Sequence, residues 1–284
     1  MTRRGDPILR FLTSSIRVKL FLMDEFFDTH AHLDFYKTEA EQEAVIERAR
    51  AAGVRWMIAI GAGNGLSSSE RALKIAETHE GIWATVGVHP HDAKMSGPDD
   101  VARLRELARH PQCVALGEIG LDYAKEYSPR AVQVARFRDQ LALARELDLP
   151  VVIHDREAHD DFLRVIKEDG LPRAGGIMHC FSGSLEMAQD LVQRDFYISF
   201  PGVVTFKNAK LLPAAAKALP IDRVLIETDS PFLAPEPYRG RQNEPAYVIE
   251  VAKTIAALRG LPLSEFARAS VANAFRAFRI RGQS

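Results

Sequence analysis

The chain has 284 residues, 46% of them hydrophobic, with 37 Lys and Arg against 38 Asp and Glu for a formal net charge of −1. Such a length and composition suit a soluble globular protein of one large domain or two small ones, with a sizeable core. The near-zero charge excludes a global positive field that gathers polyanions, so a nucleic-acid substrate has to be drawn by a local patch or by bound metal.

The chain begins with Arg3, Arg4 and an apolar stretch, Ile8–Met23, that is interrupted by Arg10, Arg17 and Lys19. A secretory signal needs an unbroken apolar run of about 7–15 residues and a small-residue cleavage site. No other segment approaches the ~18 apolar residues of a membrane span. Residues 1–22 are therefore expected to form a mobile N-terminal extension or to reflect start-site choice, and residues 23–284 to form the working domain of a cytoplasmic, monomeric protein with no membrane association.

From Phe26 onward, strand-like and helix-like segments alternate. The first strand is predicted over Phe26–His30, followed by a helix over Glu39–Ala52. The second strand, Arg55–Ile60, leads through a Gly61–Gly65 turn into a helix over Ser67–His79. That glycine run lacks the full spacing of a dinucleotide fingerprint. Next come strand Trp83–Val88 and helix Asp99–His110. Strand Cys113–Glu118 precedes the clearest helix, Pro129–Leu147, in which Ser128 is placed to cap, Pro129 suits the first turn, and Val134, Phe137, Leu141 and Ala144 form one apolar face. Strand Val151–His154 precedes helix Asp160–Asp169, strand Gly176–Cys180 precedes helix Leu185–Arg194, and strand Tyr197–Phe200 precedes helix Ala209–Ala218. The last strand, Arg223–Glu227, is followed by a long loop over Ala234–Pro245 and two helices, Ala246–Arg259 and Leu263–Phe278. Eight short strands, apolar on both faces and alternating with helices, imply parallel βαβ units with right-handed crossovers. Eight such units in about 250 residues favour a single-domain (β/α)8 TIM barrel over an open sheet.

Six of the nine histidines, His30, His32, His89, His91, His154 and His179, fall at or just past a predicted strand C-terminus, the face on which barrel active sites lie. His79 and His110 sit at helix C-termini and read as structural, and His159 opens a helix and reads as exposed. His30 and His32, two apart in extended chain, face the same way and can share a metal. Glu118 and Asp229 end the fourth and eighth strands. Carboxylates are rarely buried unless paired or metal-bound, and the glycines on either side of Glu118 are read as letting a ligand or metal approach. Four histidines and two carboxylates suit two divalent ions, one held by His30, His32 and Asp229 and the other by His154 and His179, with Glu118 bridging. Asp229 is placed to orient or deprotonate water. Mixed imidazole and carboxylate ligands suit Zn, Mn or Fe better than Mg, which prefers an all-oxygen site.

These residues lie in segments that resemble the TatD-type metal-dependent deoxyribonucleases of the amidohydrolase superfamily. The segments are FFDTHAHLD (26–34), GVHPHD (87–92), GEIGLDY (117–123), PVVIHDREAHDD (150–161), HCFSGS (179–184), and VLIETDSPFLAP (224–235) with RGRQNEP (239–245). The resemblance runs from about Phe26 to Phe278. It implies a barrel, divalent metals and phosphodiester hydrolysis, with 3′-to-5′ exonuclease action on DNA. The family's metal positions fall on His30, His32, Glu118, His154, His179 and Asp229. The segment before Met23 departs from the pattern, which does not require it.

A second tier surrounds these residues. His89, at the end of strand three, is read as a phosphate or ligand contact, and His91 is its neighbour across Pro90. Arg156, two residues after His154, suits bidentate binding of phosphate. Ser182 and Gly183 lie in a turn whose N–H groups can meet an anion. Arg239 and Arg241 are expected to supply a local positive patch, Asn243 and Glu244 to fix the final loop, and Tyr123 to pack or to stack on a base. Cys113 and Cys180 are expected as reduced thiols. Cys180 is set aside as a ligand because adjacent strand residues point to opposite faces. The leading expectation is a phosphodiesterase that trims DNA ends. The runner-up is cleavage of an ester or amide in the same site, such as removal of an aminoacyl group from tRNA, and the third is a non-catalytic metal or nucleic-acid binder.

Overall fold

In the computed structural model, residues 24–281 are described, so the expected extension over residues 1–22 lies outside them. Short runs of β-branched and apolar residues, bounded by glycines and helix ends, form eight strands: β1 Phe26–Ala31, β2 Val54–Ala59, β3 Ile82–Val86, β4 Cys113–Asp122, β5 Val151–Arg156, β6 Gly176–Met178, β7 Phe196–Phe200 and β8 Val224–Ile226. They pair in parallel in the order β1 to β8. The helices between and after them are α1 Glu39–Ala51, α2 Leu66–Thr78, α3 Pro98–Leu107, α4 Arg130–Leu147, α5 His159–Asp169, α6 Leu185–Gln193, α7 Leu212–Ala218, α8 Val248–Arg259 and α9 Leu263–Ala277. The result is the single-domain (β/α)8 barrel expected from the alternation. No described helix is long and apolar enough to cross a membrane.

The ring is completed where β1 meets the residues after β8. Ala31 and Ser230 form a parallel bridge, Asp229 N–H donates to His30 O at 2.9 Å, and His32 N–H donates to Ser230 O at 2.8 Å. Two apolar clusters hold the barrel. The larger packs helices against the outer face of the sheet. The smaller takes Phe27, Ile58, Val114, Val152, Ile177 and Leu225 from six different strands and adds Phe278 from beyond α9, as an inward layer of a filled barrel should. Phe275 of α9 meets Phe27 edge-on at 5.5 Å and packs on Trp56 and Trp83, so the last helix stoppers the end of the barrel opposite the strand C-termini.

Several local expectations are corrected. β4 continues past Glu118 to Asp122. Ser128 does not cap α4, whose N-cap is Pro129 with no side-chain bond. Its hydroxyl instead donates to His91 O at 2.8 Å and accepts from Lys94 N–H at 3.0 Å, tying the segments after β3 and β4 together. α7 starts at Leu212 rather than Ala209, with Pro213 in the first turn, where proline's missing N–H costs nothing. The glycines around Glu118 serve strand packing and not ligand approach. A Cβ on Gly120, at φ +139°, would sit 2.0 Å from His154 O, and one on Gly117 would sit 2.6 Å from Val152 Cβ. β6 ends at Met178, and Cys180 has φ 46°. Strand alternation therefore does not apply to Cys180, which lies on the wall of the cavity described below.

Candidate active site

The strand C-termini surround a cavity of about 750 Å³. Its floor is the predicted cluster. β1 delivers His30, and the chain's turn into the short helix after it delivers His32. β4 delivers Glu118 and β5 delivers His154. His179 follows directly on β6, and Asp229 lies three residues past β8 at φ 56°, a left-handed conformation that aspartate tolerates better than most residues. The other five meet around Glu118.

The two oxygens of Glu118 face different groups. Oε2 lies 3.5 Å from His30 Nε2 and 3.6 Å from His32 Nε2, and Asp229 Oδ1 lies 3.7 and 3.4 Å from the same two nitrogens. Oε1 lies 3.5 Å from His89 Nε2, 2.6 Å from His154 Nδ1 and 3.0 Å from His179 Nε2. His30, His32 and Asp229 have ligand-type atoms close enough together to hold one ion, and so do His89, Glu118 and His154. Four-coordinate ions with bonds of about 2.0–2.2 Å separate their ligand atoms by roughly 3.4 Å. The contacts of His30 and His32 match that separation better than they match hydrogen bonds.

His30 is wholly buried, yet neither of its ring nitrogens has a hydrogen-bond partner among the described residues, and its ring stacks on His179 at 3.6 Å. An unpaired buried imidazole is costly, and a cation at Nε2 would satisfy it. The residues therefore fit divalent metal.

Carboxylates back these rings. Asp122 accepts from His154 Nε2 at 3.1 Å and from His91 Nε2 at 2.9 Å. Glu227 Oε1 accepts from Cys180 N–H at 2.6 Å and lies 3.1 Å from His179 Nδ1, a contact too bent for a hydrogen bond. Asp28 accepts from His30 N–H, Thr228 N–H and the Thr228 hydroxyl. Burial would raise the pKa of Glu118, but His179, His89 and His154 outweigh it and hold the carboxyl well below its usual range. Burial opposes charge on His154 as well, but bonds to Asp122 and Glu118 prevail and lift it to about 9. Burial also prevails at His89, which falls to about 4, and at Asp28, which rises to about 8. Asp229 is held low despite burial, chiefly by its bond to His32.

Of the second tier, Arg156 and Ser182 line the cavity, as do Lys125 and Tyr127. His89 lies deeper than a peripheral contact, beside Glu118. Arg239 is not on the wall, and its guanidinium covers the Phe206 ring at 4.3 Å. Tyr123 donates to Asp161 at 2.5 Å and is covered by Arg130, so it packs. Asn243 clamps the final loop through Thr228 O and Phe232 O, and Glu244 accepts from Arg48. His79 and His110 pair with Glu43 and Glu77, and half-buried His159 pairs with Asp155. The sequence reading missed Asp28, Asp122 and Glu227. Asp28 carried one signal, the strand parity it shares with His30.

Comparison with known proteins agrees with this geometry. The profile of the family described as TatD related DNase matches residues 27–279. The Bacillus subtilis protein named uncharacterized metal-dependent hydrolase YabD is 46% identical over 254 residues, covering 89% of this chain and 99% of that protein. The 3′-5′ ssDNA/RNA exonuclease TatD of Cronobacter sakazakii is 39% identical over 260 residues, covering 89% and 97%. The crystal structure of YjjV, a TatD homolog from Escherichia coli K12, superposes with a TM-score of 0.85 at 31% identity, covering 92% of this chain and all of that one. Barrel and histidine–carboxylate rim define a metal-dependent hydrolase. Within that class, the chain belongs to the TatD related DNase family.

Proposed function

We propose that this protein hydrolyses phosphodiester bonds at the 3′ ends of DNA or a related nucleic acid, using two divalent ions. The observation that carries the proposal is the placement of Glu118 between two histidine groups, one carboxylate oxygen toward each. His30, His32 and Asp229 would hold one ion, and His154, His179 and His89 the other, with Glu118 shared. Ions held there would supply Lewis acidity at the phosphate and bring the pKa of water toward neutrality. The side chains do the rest. Asp229, kept ionised, orients the attacking water and accepts its proton. Arg156 and Lys125, both exposed on the cavity wall, neutralise phosphate oxygens. Asp122 fixes the orientation of His154 through a hydrogen bond, and Glu227 places its charge beside the ring of His179.

The test joins metal analysis of the purified protein to two assays run side by side: nucleotide release from single-stranded DNA, and amino-acid release from charged tRNA. About two ions per chain with nucleotide release supports the proposal. Amino-acid release alone assigns the site to acyl chemistry. Tight DNA binding without turnover under any divalent ion reduces it to a binder.

A further inference from the structure

The mouth of the cavity is divided by chemistry. The end of β5 and the segments after β3 and β4 supply Arg156, His91 and Lys125 with Tyr127, while the segments after β1, β7 and β8 supply Phe35, Val203 and Phe232 with Leu233. Single exposed apolar side chains are ordinary, but Phe232 and Leu233, at 47% and 38% exposure, are held in place. Phe232 N–H donates to Asp229 O at 2.9 Å, and Phe232 O accepts from Asn243 Nδ2 at 2.5 Å. Leu233 has φ 54°, a conformation that branched residues rarely adopt. The loop can seat there because Gly202 lacks a Cβ, which would come within 2.4 Å of Leu233 O. Phe35 is set in the same way: a Cβ on Gly63 would meet its ring at 2.8 Å. Phe35 stacks on His32 at 5.0 Å, and Phe232 stands edge-on to both, at 5.9 Å from His32 and 6.0 Å from Phe35. A rigid aromatic wall thus begins one ring away from the residues that face Glu118.

We infer that this wall is a nucleobase subsite, in which the terminal base of a single-stranded end stacks on Phe232 while its phosphate lies over Glu118. The inference rests on the phosphodiesterase reading above and adds to it the part of the substrate that is gripped. The remaining strand passes along Lys125 and Arg156. Stacking on an aromatic side chain accepts every base, because each has a π-face, and the wall's apolar side chains offer no hydrogen bond to a base edge. The terminal base has to leave its neighbour to lie there, which costs least in a strand that is already single.

The test compares kcat/KM on oligonucleotides whose 3′-terminal nucleotide carries a base or is abasic, using the metal-loaded protein. Wild type is expected to prefer the base-bearing end by about tenfold or more, Phe232→Trp to keep that preference, and Phe232→Ala to bring the ratio close to one. As an independent readout, terminal 2-aminopurine is quenched on binding when it stacks, and the quench should be lost in Phe232→Ala. Because Phe232 is exposed, its replacement leaves the core intact. An unchanged ratio and quench in Phe232→Ala, with oligonucleotides still cut, overturn the subsite and leave the phosphodiesterase reading standing. A wild type that cuts no oligonucleotide but cleaves an acyl ester overturns the reading itself, and the subsite with it.

Discussion

Asp122 accepts a hydrogen bond from Nε2 of His154 at 3.1 Å, and the other ring nitrogen of His154 points at Glu118 from 2.6 Å. The ring is thereby held between two carboxylates, and the bond to Asp122 leaves Nδ1 as the nitrogen that would meet a cation beside Glu118. Asp122→Asn removes the charge and leaves the size. It is expected to weaken divalent-ion affinity by about 10–100-fold without unfolding the barrel. Ion titration followed by calorimetry measures this, and an unaltered affinity would show that the pair has no part in metal binding.

Glu118 turns one carboxylate oxygen toward each histidine group. Glu118→Ala should retain the far-ultraviolet circular dichroism of the barrel, lose nearly all bound metal, and reduce hydrolysis to background. Hydrolysis at the wild-type rate in this variant rejects the shared-carboxylate mechanism.

Gln140 of α4 accepts from Val88 N–H at 2.7 Å and donates to Val88 O at 3.1 Å, immediately before His89. Gln140→Leu leaves two buried backbone groups unpaired, at a cost of about 1–3 kcal/mol each. The expected result is a Tm lowered by several degrees together with weaker metal retention, because His89 loses its support. Thermal melts with and without chelator separate the two effects.

Asp28 has a folded-state pKa of about 8 against an ordinary 3.8. A carboxyl with a raised folded pKa stabilises the protein below its unfolded value and loses that contribution as pH rises toward the folded value. For the metal-free protein, stability should therefore fall between about pH 4 and pH 8. Asparagine reproduces the protonated carboxyl's hydrogen bonds, so Asp28→Asn should flatten that slope. Urea denaturation across the window, run on both proteins, supplies the comparison, and parallel slopes contradict it.

Burial pushes the thiol of Cys113 to about 12 and that of Cys180 well above its usual value, and both are unpaired. Neither should react appreciably with a disulfide reagent at pH 8 in the native state. Two equivalents should react in denaturant. Rapid native labelling at Cys180, which lies on the cavity wall, would contradict this.

The barrel was legible because buried parallel strands leave apolar runs and helices leave a 3.6-residue pattern. The floor of the site was legible because histidines at strand ends have few structural uses. Asp122 escaped because the charged Glu118 looked like the end of a strand, whereas β4 runs on, and only its pairing with β5 reveals that. Glu227 and Asp28 escaped because burial of a carboxylate depends on partners about 50 to 200 residues away. Gln133 and Gln140 interrupt the apolar face of α4 and look like surface residues, yet both are buried and bonded to backbone. Arg239 looked like a phosphate ligand because a lone sequence cannot show that Phe206 already occupies it.

His30 comes from the first strand, Asp229 from just past the last, and a single bridge with two backbone bonds joins their strands. A growing polypeptide cannot assemble this pocket until nearly all of it has been made, so premature termination yields inert fragments and not a half-active enzyme. The cation shared across that join would act as a rivet, fastening the two ends of the ring. Stripping it should loosen this join before any other pair of neighbouring strands, and amide exchange at His32 and Asp229 should be the earliest sign.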